Sequence, residues 1–129
     1  MEQQTRDRLS QLLVGMEIIN VEQYGNYFHM MFASRSLTIR CAWRLICDGE
    51  IVIGSGSTDE LVDRMSDYLK GQVVERVAVR GEFHDLRLEF MSRYALEVYA
   101  DSQEFENWQL GGGPTEMIIA GPSRLWSEF

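Results

Sequence analysis

Cysteine is scarce in this chain: Cys41 and Cys47 are the only two in 129 residues, and they form neither a C-x-x-C pair nor part of a metal-ligand cluster. That excludes a disulfide framework or a structural zinc as the source of stability, and both thiols are expected to be reduced. Long apolar runs are missing too. Nothing approaches the ~20 apolar residues of a membrane span. The polar start from Met1 to Arg8 leads into no apolar stretch of signal-peptide length. A cytoplasmic protein without membrane contact is the expectation. Basic residues are in deficit, twelve against twenty acidic ones, for a formal charge of −8. Phosphate contacts need an excess of Lys and Arg, so nucleic acid is not an expected partner, whereas a basic protein surface is.

Familiar catalytic patterns are absent as well. No serine sits in G-x-S-x-G, and neither cysteine has a recognisable catalytic setting. His29 and His84 read as ordinary surface histidines, the first on the wet side of a strand and the second beside a hairpin. The stretch Gly54-Ser55-Gly56-Ser57 precedes a helix but lacks the lysine of a phosphate loop, and Asp59 and Glu60 would repel a phosphate there. No catalytic residue, metal ligand or cofactor is therefore assigned.

What is present is a globular composition, 45% hydrophobic and 25% charged, sufficient for a single domain over residues 1–129. It also contains a repeat. Gly15-Met16-Glu17-Ile18-Ile19-Asn20-Val21 aligns with Gly71-Gln72-Val73-Val74-Glu75-Arg76-Val77, and Gly25 with Gly81. Phe32-Ala33-Ser34-Arg35 matches Phe90-Met91-Ser92-Arg93, Leu37-Thr38-Ile39 matches Leu96-Glu97-Val98, and Trp43-Arg44-Leu45 matches Trp108-Gln109-Leu110. Ile51-Val52-Ile53 then finds Met117-Ile118-Ile119. An ordered series of this kind predicts two tandem units, at about 5–54 and 58–120, followed by a tail at 121–129.

Each unit opens with a helix closed by glycine. Leu9, Leu12 and Leu13 form an apolar stripe ending at Gly15; Leu61, Val62, Met65 and Leu69 form another ending at Gly71. Ser57-Thr58-Asp59-Glu60 reads as a capping box in which Ser57 accepts from the backbone near Glu60. After each glycine the period becomes two. Phe28, Met30 and Phe32 share one strand face, as do Leu86, Leu88 and Phe90; Leu37, Ile39, Cys41 and Trp43 share the next, answered by Leu96, Val98 and Ala100. Asp48-Gly49 suits a two-residue hairpin, and Gly111-Gly112-Gly113-Pro114 a looser turn. The expected fold is α+β: two helix-plus-four-strand repeats, eight strands in all, forming a mostly antiparallel curved sheet or barrel-like core related by a pseudo-two-fold axis.

Two groups of residues are candidates for binding. The second unit has about six extra residues in Asp101-Ser102-Gln103-Glu104-Phe105-Glu106-Asn107-Trp108, which the repeat does not need. Asp101, Glu104 and Glu106 there supply charge, and Trp108 a possible anchor for a protein partner. The competing reading is that Asp101 or Ser102 caps a helical turn and both rings enter the core. Arg35 and Arg93 follow serines at matching positions. With Trp43 and Tyr99 they would form a ligand pocket between repeats or subunits, unless Ser-Arg is simply turn chemistry. The tail, with Trp126 and Phe129, is expected to pack on the body or in a homodimer.

The arrangement of Gly15, Trp43-Arg44-Leu45, Gly71 and Phe105-Glu106-Asn107-Trp108 resembles a group of short bacterial proteins in which a W-x-L segment precedes an aromatic-Glu-Ser/Asn-aromatic segment. The resemblance implies a bacterial or phage source and no particular activity; in size and acidity the chain is also similar to immunity proteins of toxin systems. The leading expectation is a non-enzymatic binding protein of immunity or inhibitor type that covers a basic site on a partner. The alternative is a protein that binds or sequesters a nucleotide or other anionic metabolite.

Overall fold

A computed structural model describes residues 1–25, 27–112 and 117–129. Gly113 and Pro114 of the second glycine turn lie outside the described residues.

The first helix, α1 (Gln3–Leu13), buries Thr5, Leu9 and Leu13. It ends before Gly15, whose φ of 86° is open to glycine at little cost. The second apolar stripe is broken into α2 (Asp59–Val62) and α3 (Met65–Leu69), not one helix. The break falls where Arg64 N–H donates to Leu61 O and Asp67 N–H to Arg64 O, both at 3.1 Å and both i→i−3, which tightens the turn. The expected capping box is also displaced. Thr58 occupies the N-cap without a side-chain bond, because the Ser57 hydroxyl turns back to accept from Gly54 N–H at 3.0 Å.

Eleven strands are described where eight were expected. One antiparallel sheet has six: β1 (Asn20–Tyr24), β2 (Tyr27–Met31), β3 (Ser36–Ile39), β9 (Trp108–Gly111), β10 (Met117–Ala120) and β11 (Trp126–Glu128), in that order. The other has five, ordered β5 (Glu50–Gly54), β4 (Ala42–Cys47), β8 (Tyr94–Tyr99), β7 (Asp85–Phe90), β6 (Val74–Arg80). The alternation Leu37, Ile39, Cys41, Trp43 belongs to two strands, not one. The chain leaves the first sheet at Arg40 and enters the second at Ala42, and the pattern persists because both strands face one core. The tail contributes β11, paired to β10, so it does fold back on the body.

The sheets do not close into a barrel. Their edges are β1 and β11 on one, β5 and β6 on the other, and helices meet these edges. α1 packs on β6, and its Thr5 hydroxyl donates to Glu128 of β11 at 3.0 Å; α3 packs on β1 and α2 on β5. A single hydrophobic cluster draws on both sheets. Phe28 of β2 meets Trp43 of β4 edge to face at 5.2 Å between ring centres, a favourable aromatic arrangement.

The pairings run in matched registers. Gln23 faces Phe28 and Val79 faces Leu86; Phe28 faces Ile39 and Leu86 faces Val98. Between the two halves of the chain, Ile39 faces Trp108 and Val98 faces Trp43, while Leu37 faces Leu110 and Leu96 faces Leu45. Gly15 N–H donates to Val74 O at 2.7 Å and Gly71 N–H to Ile18 O at 2.8 Å, each reaching three residues beyond the opposite glycine.

Candidate functional site

The eight residues joining β8 to β9 cross from one sheet to the other, where β3 and β4 are joined by only Arg40 and Cys41. Buried Asn107 holds this crossover: its side-chain oxygen accepts from Asp101 N–H at 3.1 Å and Ser102 N–H at 2.9 Å, and its amide donates to Gly121 O at 2.9 Å. The Ser102 hydroxyl accepts from Glu104 and Phe105 N–H at 3.2 and 2.9 Å, a local turn of serine type. Phe105 is left 68% exposed. Asp101 and Glu104 are exposed beside it, and Glu106 is half-buried with Arg40 at 3.7 Å. The two rings of the insertion thus part ways. Trp108 is fully buried and donates its indole N–H to His84 O at 2.8 Å, so it packs the core and is not presented to a partner.

The four residues grouped as a ligand pocket are placed on separate features. Arg35 and Arg93 lie in turns of different sheets; Arg35 donates to the Ser34 hydroxyl at 3.3 Å and Arg93 reaches Asp48 at 3.4 Å. Tyr99 lies over Arg44, at 4.7 Å from guanidinium carbon to ring centre, and donates to Glu97 at 3.0 Å. Glu97 also receives Arg44 at 2.7 Å and Arg87. Burial pushes its carboxyl up, but these hydrogen bonds outweigh that and hold it below its ordinary range.

Trp43 lines a cavity of about 460 Å³ between the β1–β2 hairpin, β4 and α2. Tyr27 and Phe28 supply further aromatic wall, and Asp59 of α2 and Asp63 just after it supply carboxylates. Neither carboxylate is ion-paired to a described residue, and among the described residues none accepts from the Trp43 indole. The cavity escaped the sequence reading because its wall comes from a hairpin, a crossover strand and a helix that are brought together only by the fold.

His84 departs from its expected surface setting. It is 3% exposed, adopts φ 61° and has its Nε2 2.9 Å from the Met1 nitrogen. Burial, then the nearby Met1 and Arg6 cations, push its pKa down. Cys41 is buried and its thiol is pushed up to about 12, chiefly by burial, so it is no nucleophile at neutral pH. Among the described residues no group of three His, Cys, Asp or Glu could hold a metal ion, and no helix is long and apolar enough to cross a membrane.

Comparison with protein families, with characterised proteins and with solved structures found no match to this chain.

Proposed function

We propose that this protein is a non-enzymatic binding protein of inhibitor or immunity type, which meets a basic surface of a partner protein through the crossover at 101–106. The observation that carries the reading is Phe105, 68% exposed, on a turn fixed by Ser102 and Asn107 and flanked by Asp101, Glu104 and Glu106 in a chain of charge −8. A large exposed ring among carboxylates combines an apolar anchor with complementary charge that speeds encounter with a basic partner. Trp108, fully buried, is left out of this surface.

The same reading includes a duplicated architecture, with units at about 5–54 and 58–120 that exchange their last strands. The matched registers and the reciprocal glycine bonds support it. The alternative of an anionic metabolite is disfavoured at the cavity, where Asp59 and Asp63 would repel it.

Capture from the protein's own host tests the binding surface. The unaltered protein is expected to retain a basic protein at low salt, and Glu104→Lys/Glu106→Lys to lose it at least tenfold, on the order of 1.4 kcal/mol. Equal retention by both proteins would overturn the assignment of this surface.

A further inference from the structure

The two units differ in what lies between helix and hairpin. In the second, Arg6 of α1 lines the hollow beside the β6–β7 hairpin and lays its guanidinium on Val79 O at 2.7 Å. Val79 and Gln23 hold the same register position, facing Leu86 and Phe28 respectively. Arg6 and Val62 likewise stand nine residues before Gly15 and Gly71. Where one unit has an arginine reaching the hairpin carbonyl, the other has a short apolar side chain, and the 460 Å³ cavity lies at that place, lined by both Val62 and Gln23.

The walls of the cavity match the missing group. Asp63 corresponds to Asp7, but Asp59 stands where α1 has uncharged Gln3, so this side of the fold carries an added carboxylate and lacks the arginine. Both carboxylates are exposed and on the rim, one helical turn apart, where i, i+4 side chains are neighbours. Trp43, 3% exposed, and Tyr27 line the cavity with aromatic rings, which attract a planar cation; Tyr27 already has the Arg40 guanidinium 5.7 Å from its ring centre. Guanidinium suits such a setting better than ammonium, because it is planar, weakly hydrated and able to bridge two acceptors at once.

We propose that this cavity binds a guanidinium group supplied from outside the chain, in the place that Arg6 fills from within in the other unit. The proposal goes beyond the partner surface at 101–106: it names a second site, and its residues are not those of the crossover. It draws on the correspondence of the two units. The guanidinium could come from an arginine side chain of a protein or from a free guanidinium metabolite, and the two sources are separable by the charges around it.

The test is titration of the full-length protein with N-acetylarginine methylamide, free arginine and N-acetylcitrulline methylamide, observed at the Trp43 indole by NMR, with Trp126 and Trp108 as internal controls. The blocked arginine is expected to shift Trp43 saturably, and the uncharged citrulline compound to bind at least about tenfold more weakly. Asp59→Asn/Asp63→Asn should lose about tenfold for the blocked arginine. Val62→Arg, which fills the cavity with the chain's own guanidinium, should abolish binding while leaving the fold intact by circular dichroism. A peptide-type site takes the blocked arginine at least as well as free arginine; a metabolite site prefers free arginine. Equal binding of the citrulline compound, retention of affinity in Val62→Arg, or no saturable shift at Trp43 would each overturn the proposal. Loss of partner capture in Glu104→Lys/Glu106→Lys leaves these titrations unchanged, so the two assignments fail separately.

Discussion

At Gly112 the chain passes so close to the β2–β3 turn that an added Cβ would lie 2.5 Å from both Arg35 Cα and Ser34 O, with φ at 137°. Both obstacles are backbone, so neither can swing aside. Gly112→Ala is expected to lower stability by about 2 kcal/mol, read as a fall in denaturant midpoint at unchanged slope. His84 imposes a pH dependence of definite sign. Its folded pKa lies below the ordinary value, so between the two values the unfolded chain binds more protons than the folded one. The stability it contributes is full above about pH 6.5 and is lost as pH falls through the folded value. Replacement by Asn, which tolerates the left-handed backbone at this position, should flatten the decline in melting temperature below about pH 6.5. Matching slopes for the two proteins would show that His84 does not titrate with folding.

Among the elements, strand faces were legible in the sequence and their partners were not. Phe28, Met30 and Phe32, like Leu86, Leu88 and Phe90, are buried as their period of two requires. Asp48 and Gly49 take φ of 51° and 80°, as a tight hairpin demands. The passage from β3 to β4 was hidden because its residues keep facing one core while the chain changes sheets. The break between α2 and α3 was hidden for a similar reason, since Val62, Met65 and Leu69 keep helical spacing across it. Nor did the sequence distinguish the two rings of the crossover. Their fates depend on where the carbonyl of His84 lies, a residue more than twenty positions away that only the fold brings to Trp108. Trp108→Ala should therefore cost about 3–5 kcal/mol by equilibrium unfolding. Phe105→Ala should stay within about 0.5 kcal/mol while impairing partner capture. A comparable loss of stability in both would place Phe105 in the core after all.

For the molecule as a whole, the distribution of strands between the two sheets sets where the chain crosses from one to the other. β4 and β5, from the first half of the chain, join the sheet of β6, β7 and β8, and β9 and β10, from the second half, join the sheet of β1, β2 and β3. The chain must therefore cross between sheets twice, and the longer crossing presents Phe105. The same arrangement sets a helix beside each hairpin, with Arg6 at one and the open cavity at the other. The proposed repeat rests on the glycines and tryptophans of the sequence. The pairing across the two halves could not be read there, because a strand suits in pattern a partner from its own half of the chain or from the other. Neither half has its full set of neighbours alone: Trp43 and Leu45 pair with Val98 and Leu96 across the cut, and Leu9 and Leu13 belong to a core shared with Leu86 and Leu88. The most direct measurement is therefore to prepare residues 1–57 and 58–129 as separate chains and follow unfolding and mass, alone and mixed. Interlocked units predict that neither fragment unfolds cooperatively as a monomer and that an equimolar mixture regains the native spectrum as a one-to-one complex. A fragment that folds cooperatively by itself as a monomer would contradict the interlocked fold, and with it the account of both sites.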